Sequence, residues 1–147
     1  MYYSGKKKKH TIKNQIMVNN RGYILHKIAH KKGARHDYDI YKENHPLIPK
    51  QVVNVVDLGY LGLEKDFPKQ LLSLPKRKKR NQRALSQEEK DYNKDHSKKR
   101  IVIEHTICKL KKYMMMSDIF RNKLRKFSKV SDIVSSLVNY RIMKQQN

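Results

Sequence analysis

Apolar residues first recur at even spacing from Ile12. Ile12, Ile16 and Val18 share one face and Lys13 and Gln15 the other, the period of a half-buried strand. Asn19-Asn20-Arg21-Gly22 then supplies turn chemistry, Gly22 being free to take positive φ. Beyond it Tyr23, Leu25 and Ala29 alternate with Ile24 and Ile28. The pattern predicts strand 11–18, a turn and strand 23–31, a β-hairpin, with residues 1–10 as a polar, basic leading loop. Gly33 closes the second strand. Asp37 is placed to cap a short helix over roughly 38–45, ended by Pro46 and Pro49.

The valines of Gln51-Val52-Val53-Asn54-Val55-Val56-Asp57 form a β-branched run of strand length. A strand apolar on both faces belongs inside a sheet covered on both sides, as in parallel pairing. Leu71 to Leu74 reads as a further edge strand before Pro75. Ser86-Gln87-Glu88-Glu89 is a capping box that opens a long helix. Ile103, Ile107, Leu110 and Met114 carry helical spacing to about residue 114. A short helix is expected near 118–127, with Ile119, Phe120, Leu124 and Phe127. Ser131 reads as the cap of a last amphipathic helix with Ile133, Val134, Leu137 and Val138 inward. No internal repeat is present. The elements describe an α/β domain over 1–147, with a strand-rich part (11–85) and a helical part (86–143).

Charge adds the first functional constraint. The 147 residues hold 35 Lys+Arg against 13 Asp+Glu, a formal net charge of +22. The mean hydropathy of −0.90 is lean for a globular chain. Such an excess is self-repelling unless a polyanion screens it, and nucleic acid is the commonest. A membrane surface fits less well, because the lysines are spread along the chain and not along one helix face. Abundant Lys, Asn and Ile is also what AT-rich coding produces. No apolar run reaches about 18 residues, and no apolar segment follows Lys6–Lys9, so neither a membrane span nor a secretory leader is expected. The lone Cys108 fits a reducing cytoplasm.

Two carboxylates carry the candidate chemistry. Asp57 ends the valine strand, where open α/β sheets place ligand sites. Glu104 sits in the long helix, and Asn93, Ser97 and Arg100 precede it at offsets that align all four along one helical stripe. The stripe describes a lined cleft or, equally, a surface ion pair between Arg100 and Glu104. His26 and His30 fall on a lysine-flanked strand and read as an exposed polar face. Cys108 reads as a helix-packing residue and Met114-Met115-Met116 as core filler. Lys76-Arg77-Lys78-Lys79-Arg80, within the basic loop 76–83, is a solvated loop or a contact to a DNA backbone.

Four segments fall in a familiar order: Tyr3-Ser4-Gly5-Lys6-Lys7-Lys8-Lys9-His10-Thr11, Gly33-Ala34-Arg35-His36-Asp37, Asp57-Leu58-Gly59-Tyr60-Leu61-Gly62, and Asn93…Ser97…Arg100-Ile101-Val102-Ile103-Glu104-His105. Together they resemble the catalytic domain of DDE transposases from bacterial insertion sequences, in the branch related to harbinger-type transposases, over residues 2 to about 140. The resemblance implies a ribonuclease H-like fold and three acids holding two Mg²⁺ or Mn²⁺ ions for DNA cleavage and strand transfer. By matching motifs, Asp57 is the second acid and Glu104 the third, both catalytic and metal-holding, with Asn93, Ser97 and Arg100 lining the site. Lys6, Lys7, Lys8, Lys9, Lys76, Arg77, Lys78, Lys79 and Arg80 become candidate DNA contacts. The first acid and its strand belong upstream of the Tyr-Ser-Gly-Lys-Lys segment and are absent, and Asp37 and Asp39 do not replace them. The expectation is an N-terminally truncated fold lacking its first strand, either a frame-shifted remnant or the downstream half of a transposase made in two pieces. Alone it is an incomplete enzyme. Its partners are element-end and target DNA, the upstream segment in trans, and further copies of itself once complete. It would act in the bacterial cytoplasm, on the nucleoid. The alternative is a basic, non-catalytic nucleic-acid-binding protein.

Overall fold

A computed structural model describes residues 3–4, 9–78, 80, 83–117, 120 and 123–146. Along the chain run β1 (Tyr3–Ser4), β2 (Lys9–His10), β3 (Ile12–Val18), β4 (Ile24–Lys32), α1 (Asp37–Glu43), β5 (Val53–Val55), α2 (Leu63–Asp66), β6 (Leu71–Ser73), α3 (Gln87–Lys111), α4 (Met114–Ser117) and α5 (Phe127–Gln146). Leu58–Tyr60 and Leu124–Lys126 are 3-10 turns. The described strands pair two by two, β1 with β2 and β3 with β4 antiparallel, β5 with β6 parallel. The class is mixed α/β. The chain divides into two compact units, Met1–His45 with Val102–Asn147, and Pro46–Ile101.

In the first unit the hairpin forms where the alternation predicts it. Asn19 explains the turn: its Oδ1 accepts the N–H groups of Arg21 and Tyr23, both at 3.0 Å. Gly22 takes φ +85°. The buried side of the hairpin is covered by α5. Ile16, Tyr23 and Ile24 pack against a cluster of Leu110, Val134, Val138 and Ile142. Asn139 clamps the Ile24 backbone from both sides, accepting its N–H at 2.8 Å and donating to its carbonyl at 3.0 Å. Thr106 on α3 is 1% exposed and donates to the Gly22 carbonyl at 3.0 Å.

A charged network ties α1 to the hairpin. Arg35 grips Glu43 through both guanidinium nitrogens, Lys31 stands 3.9 Å from the same carboxylate, and Lys13 pairs with Asp37 at 3.1 Å. The hydrogen bond from Arg35 holds the Glu43 carboxyl below the usual carboxylate range and raises the guanidinium in turn.

Several expectations are corrected. The leading loop contains a short antiparallel pair, Tyr3↔His10 and Ser4↔Lys9. The cap of α1 is His36, which accepts from the Tyr38 N–H, and not Asp37. Helix α3 ends at Lys111, short of 114. Near 118–127, Ile119 lies outside the described residues, Leu124 sits in a 3-10 turn, and Phe127 already opens α5 and meets Phe120 edge-on at 5.0 Å. Ser131 is therefore inside α5. It is fully buried and takes a hydrogen bond from Lys27 Nζ at 3.2 Å. On the same helix Ile133 and Leu137 are 61% and 44% exposed. The run from Ile133 to Val138 offers two apolar stripes one residue apart. Only the stripe of Val134, Val138 and Ile142, four residues apart each, faces the core. Cys108 is exposed and does not pack. Met114 and Met115 are exposed as well, and only Met116 reaches the core.

In the second unit β5 and β6 pair from Val53↔Leu71 to Val55↔Ser73, and Val56 N–H continues the ladder to Ser73 O at 3.0 Å. The parallel pairing is as the valine run suggests, but the two-sided burial is not. Val52 and Val53 are about half exposed, and Val56 with Leu63 is the buried pair. Among the described strands β5 has one partner, so it is an edge, and an edge strand needs fewer apolar neighbours.

Candidate functional site

Parallel strands end on the same side, so the last residues of β5 and β6 open onto one edge of the second unit. Asp57 stands just past β5. Its Oδ1 accepts the Leu58 N–H at 2.6 Å and so caps the Leu58–Tyr60 turn. Its Oδ2 lies 3.1 Å from Arg100 Nη2 on α3. The Asp57 side chain is 49% exposed and that of Arg100 32%. Gly62, at φ +102°, turns the chain after this motif into α2.

Helix α3 reaches this edge because it is well started. Ser86 Oγ accepts the Glu89 N–H at 3.1 Å, and the Glu89 carboxylate takes the Ser86 N–H at 2.9 Å, closing the capping box read from the sequence. One face of the helix then clamps the strand ends. His96, 3% exposed, has Nε2 3.0 Å from the Ser73 carbonyl. The Tyr92 hydroxyl meets Ser73 Oγ at 3.1 Å. Asn93 takes the Lys76 N–H at 2.7 Å and donates to the Lys76 carbonyl at 3.0 Å, while Lys76 Nζ sits 5.4 Å from the Tyr92 ring centroid. The basic loop therefore leaves β6 from a fixed point. Lys76, Arg77, Lys78 and Arg80 are exposed beyond it.

Of the residues singled out from the sequence, Asp57 and Arg100 meet. Asn93 holds the loop backbone at Lys76. Ser97 is exposed. Arg100, read from the sequence as a site-lining residue and as a possible partner of Glu104, pairs with Asp57. Glu104 lies one helical turn further along α3, is exposed, and belongs to the first unit. Lys6, Lys7, Lys8 and Lys79 lie outside the described residues, and Lys9 is in β2. The sequence reading missed Tyr92 and His96. Their signal was the four-residue spacing between two aromatic rings in a helical stretch, 87–100, that is otherwise polar, which marks a face with something to cover.

Among the described residues, no three His, Cys, Asp or Glu side chains gather as metal ligands. Asp57 and Glu104 offer the hard carboxylate oxygens that Mg²⁺ and Mn²⁺ take. They fit such an ion in kind and fall short in number. Among the described residues no helix is long and apolar enough to cross a membrane.

Comparison with known proteins bears directly on this arrangement. Residues 1–139 match the family described as DDE superfamily endonuclease. The chain is 30% identical over 141 residues to a probable transposase for insertion sequence element IS702 of Microchaete diplosiphon, covering 96% of this chain and 50% of that protein. The chain thus spans about half the length of the curated relative it matches. No solved structure matches it. Endonucleases of this family generally use divalent metal ions. The reading as a non-catalytic basic binder finds no support in these likenesses. The chain belongs to the DDE superfamily endonucleases and is related to the transposases of insertion sequences.

Proposed function

We infer that this chain is a catalytic-domain segment of a DDE transposase, acting on DNA by metal-dependent cleavage and strand transfer at the ends of a mobile element. The observation that carries the reading is Asp57, an acid at the end of a parallel strand inside the Asp-Leu-Gly-Tyr-Leu-Gly motif, held by Arg100 from the helix that also bears Glu104. Asp57 and Glu104 are the two acids this chain brings to Mg²⁺ or Mn²⁺, two ions in the complete enzyme. When bound, such ions activate the attacking oxygen and stabilise the leaving one. The ribonuclease H-like fold and the harbinger-related branch are part of the same proposal and rest on the order of the motifs.

The chain's own residues have distinct tasks in this scheme. Arg100 orients the Asp57 carboxylate and offsets its charge while no cation is present. Asn93 fixes where the basic loop departs, so that Lys76, Arg77, Lys78 and Arg80 meet the DNA backbone from a defined origin. Two acids are one fewer than the mechanism needs. The chain by itself therefore cuts no DNA, and a further transposase segment, in cis or in trans, supplies the remaining carboxylate. Homo-oligomers form on the complete protein, in the bacterial cytoplasm on the nucleoid.

The test is a cleavage assay on element-end DNA with Mn²⁺. The chain alone should give background cutting only. Adding the other half of the transposase should restore cutting, and Asp57→Asn or Glu104→Gln should abolish it again. Robust cutting by the 147-residue chain alone, lost in Asp57→Asn, would overturn the need for a third acid from elsewhere. Restored cutting that is indifferent to both substitutions would overturn the site assignment.

A further inference from the structure

Within the first unit, the end of α3, the two residues that follow it and the C-terminal half of α5 line a cleft of ≈ 50 Å³ through Lys109, Lys112, Tyr113, Val138, Arg141 and Gln145. Three of these side chains are cationic, one is an amide, and none is acidic. Among the described residues no carboxylate pairs with Lys109, Lys112 or Arg141. The ion pairs there engage Lys13, Lys27, Lys31, Arg35, Lys98 and Arg100. Local sequence explains the lack of partners. Residues 105–147 hold ten Lys+Arg and two acids, and one of those acids, Asp132, is taken by Lys27.

Three cationic side chains around one cleft, with no acid among them, leave a local excess of positive charge that self-repulsion penalises. The C-terminus of α3 offsets a part of this, since a helix end carries a partial charge of about −0.5. That is a fraction of the charge present. The remainder calls for an anion. Holding one water takes about 10–15 Å³, so a cleft of ≈ 50 Å³ has room for a tetrahedral phosphate group. Arginine adds a planar fork that suits phosphate oxygens, and Gln145 adds a neutral donor.

We propose that this cleft is a DNA backbone contact, in which Lys109, Lys112 and Arg141 hold a phosphodiester group over the floor of Tyr113 and Val138. It rests on the reading of the chain as a DNA-acting segment, but uses neither Asp57 and Glu104 nor the basic loop. A phosphate contact of this kind sets affinity and register and reads no sequence.

The experiment is a salt titration of the full chain on a fluorescent duplex, followed by anisotropy. Lys109→Gln, Lys112→Gln and Arg141→Gln are combined in one variant. Lys94→Gln, Lys99→Gln and Lys129→Gln, three exposed lysines with no shared cleft, form an equal-charge control. The cleft variant should bind at least about tenfold more weakly at low salt, with a log–log salt slope shallower by about 0.9 for each phosphate released. The control should change affinity by less than about threefold. Single Arg141→Gln, at an exposed helix position, should keep the parent's melting curve and lose about threefold. A cleft variant that binds as the parent does, or a control that loses as much, overturns the proposal and leaves the transposase reading standing. A flat salt slope in the parent overturns both.

Discussion

The contact between Gly22 and Thr106 fixes the segment of α3 that carries Glu104, two residues before it. Its cost of disruption can be worked out. Gly22 takes φ +85°, and a β-carbon built there would lie 3.0 Å from Thr106 Oγ1, closer than such contacts normally allow. In Gly22→Ala the backbone conformation alone costs about 1–2 kcal/mol. The hydroxyl must also move from the Gly22 carbonyl it now donates to, which costs about another 1 kcal/mol. The expected loss is about 2–3 kcal/mol. Thr106→Ala removes both the obstructing oxygen and the hydrogen bond, so in that background Gly22→Ala should cost only the backbone term of about 1–2 kcal/mol. Urea denaturation of the four proteins, followed by circular dichroism, gives the coupling. A Gly22→Ala cost below about 0.5 kcal/mol would refute the turn geometry, and strict additivity of the two substitutions would refute the contact.

Two further outcomes follow from local features. Ser86→Ala opens the capping box and should cost about 1 kcal/mol, read as a lower thermal midpoint with fraying of the first turn of α3; an unchanged midpoint would count against the reciprocal bonds. Glu43 has its carboxyl lowered by Arg35, so the pair's contribution is fully present above the ordinary glutamate value of about 4.3 and is lost as pH falls through the lower folded value. Parent and Glu43→Gln should therefore differ in stability at neutral pH and converge on acidification, and curves that stay parallel into acid would exclude the linkage.

What could be seen in the sequence was what neighbours in the chain decide. The hairpin turn needs Asn19 and Gly22, three positions apart, and the start of α3 needs Ser86 and Glu89. Both were legible. The parallel partner of the valine strand was legible as an edge strand at Leu71 but not as its partner, because pairing across eighteen residues leaves no mark in either segment. Ser131 shows the limit most clearly. A serine before an apolar run signals a cap, yet here its hydroxyl is consumed by Lys27, 104 positions away, and the helix begins upstream. The same holds at the candidate site. Asp57 was visible as the end of a strand, but its partner Arg100 lies 43 residues on, where the local pattern offered Glu104 instead.

The first unit is discontinuous, and this has a consequence for how the protein is made. Ile24 is clamped by Asn139, 115 residues later, and the hairpin's apolar side is covered by α5 together with Leu110 of α3. The second unit, Pro46–Ile101, is contiguous and emerges whole between the two halves of the first. At synthesis rates of about 5–20 residues per second, Ile24 leaves the ribosome ~6–23 s before its clamp exists. During that interval Ile16 and Ile24 are on a finished hairpin with nothing over them. Those apolar side chains stay open to solvent until residues 106–142 are made, so the later half of the message supplies the cover for the earlier half.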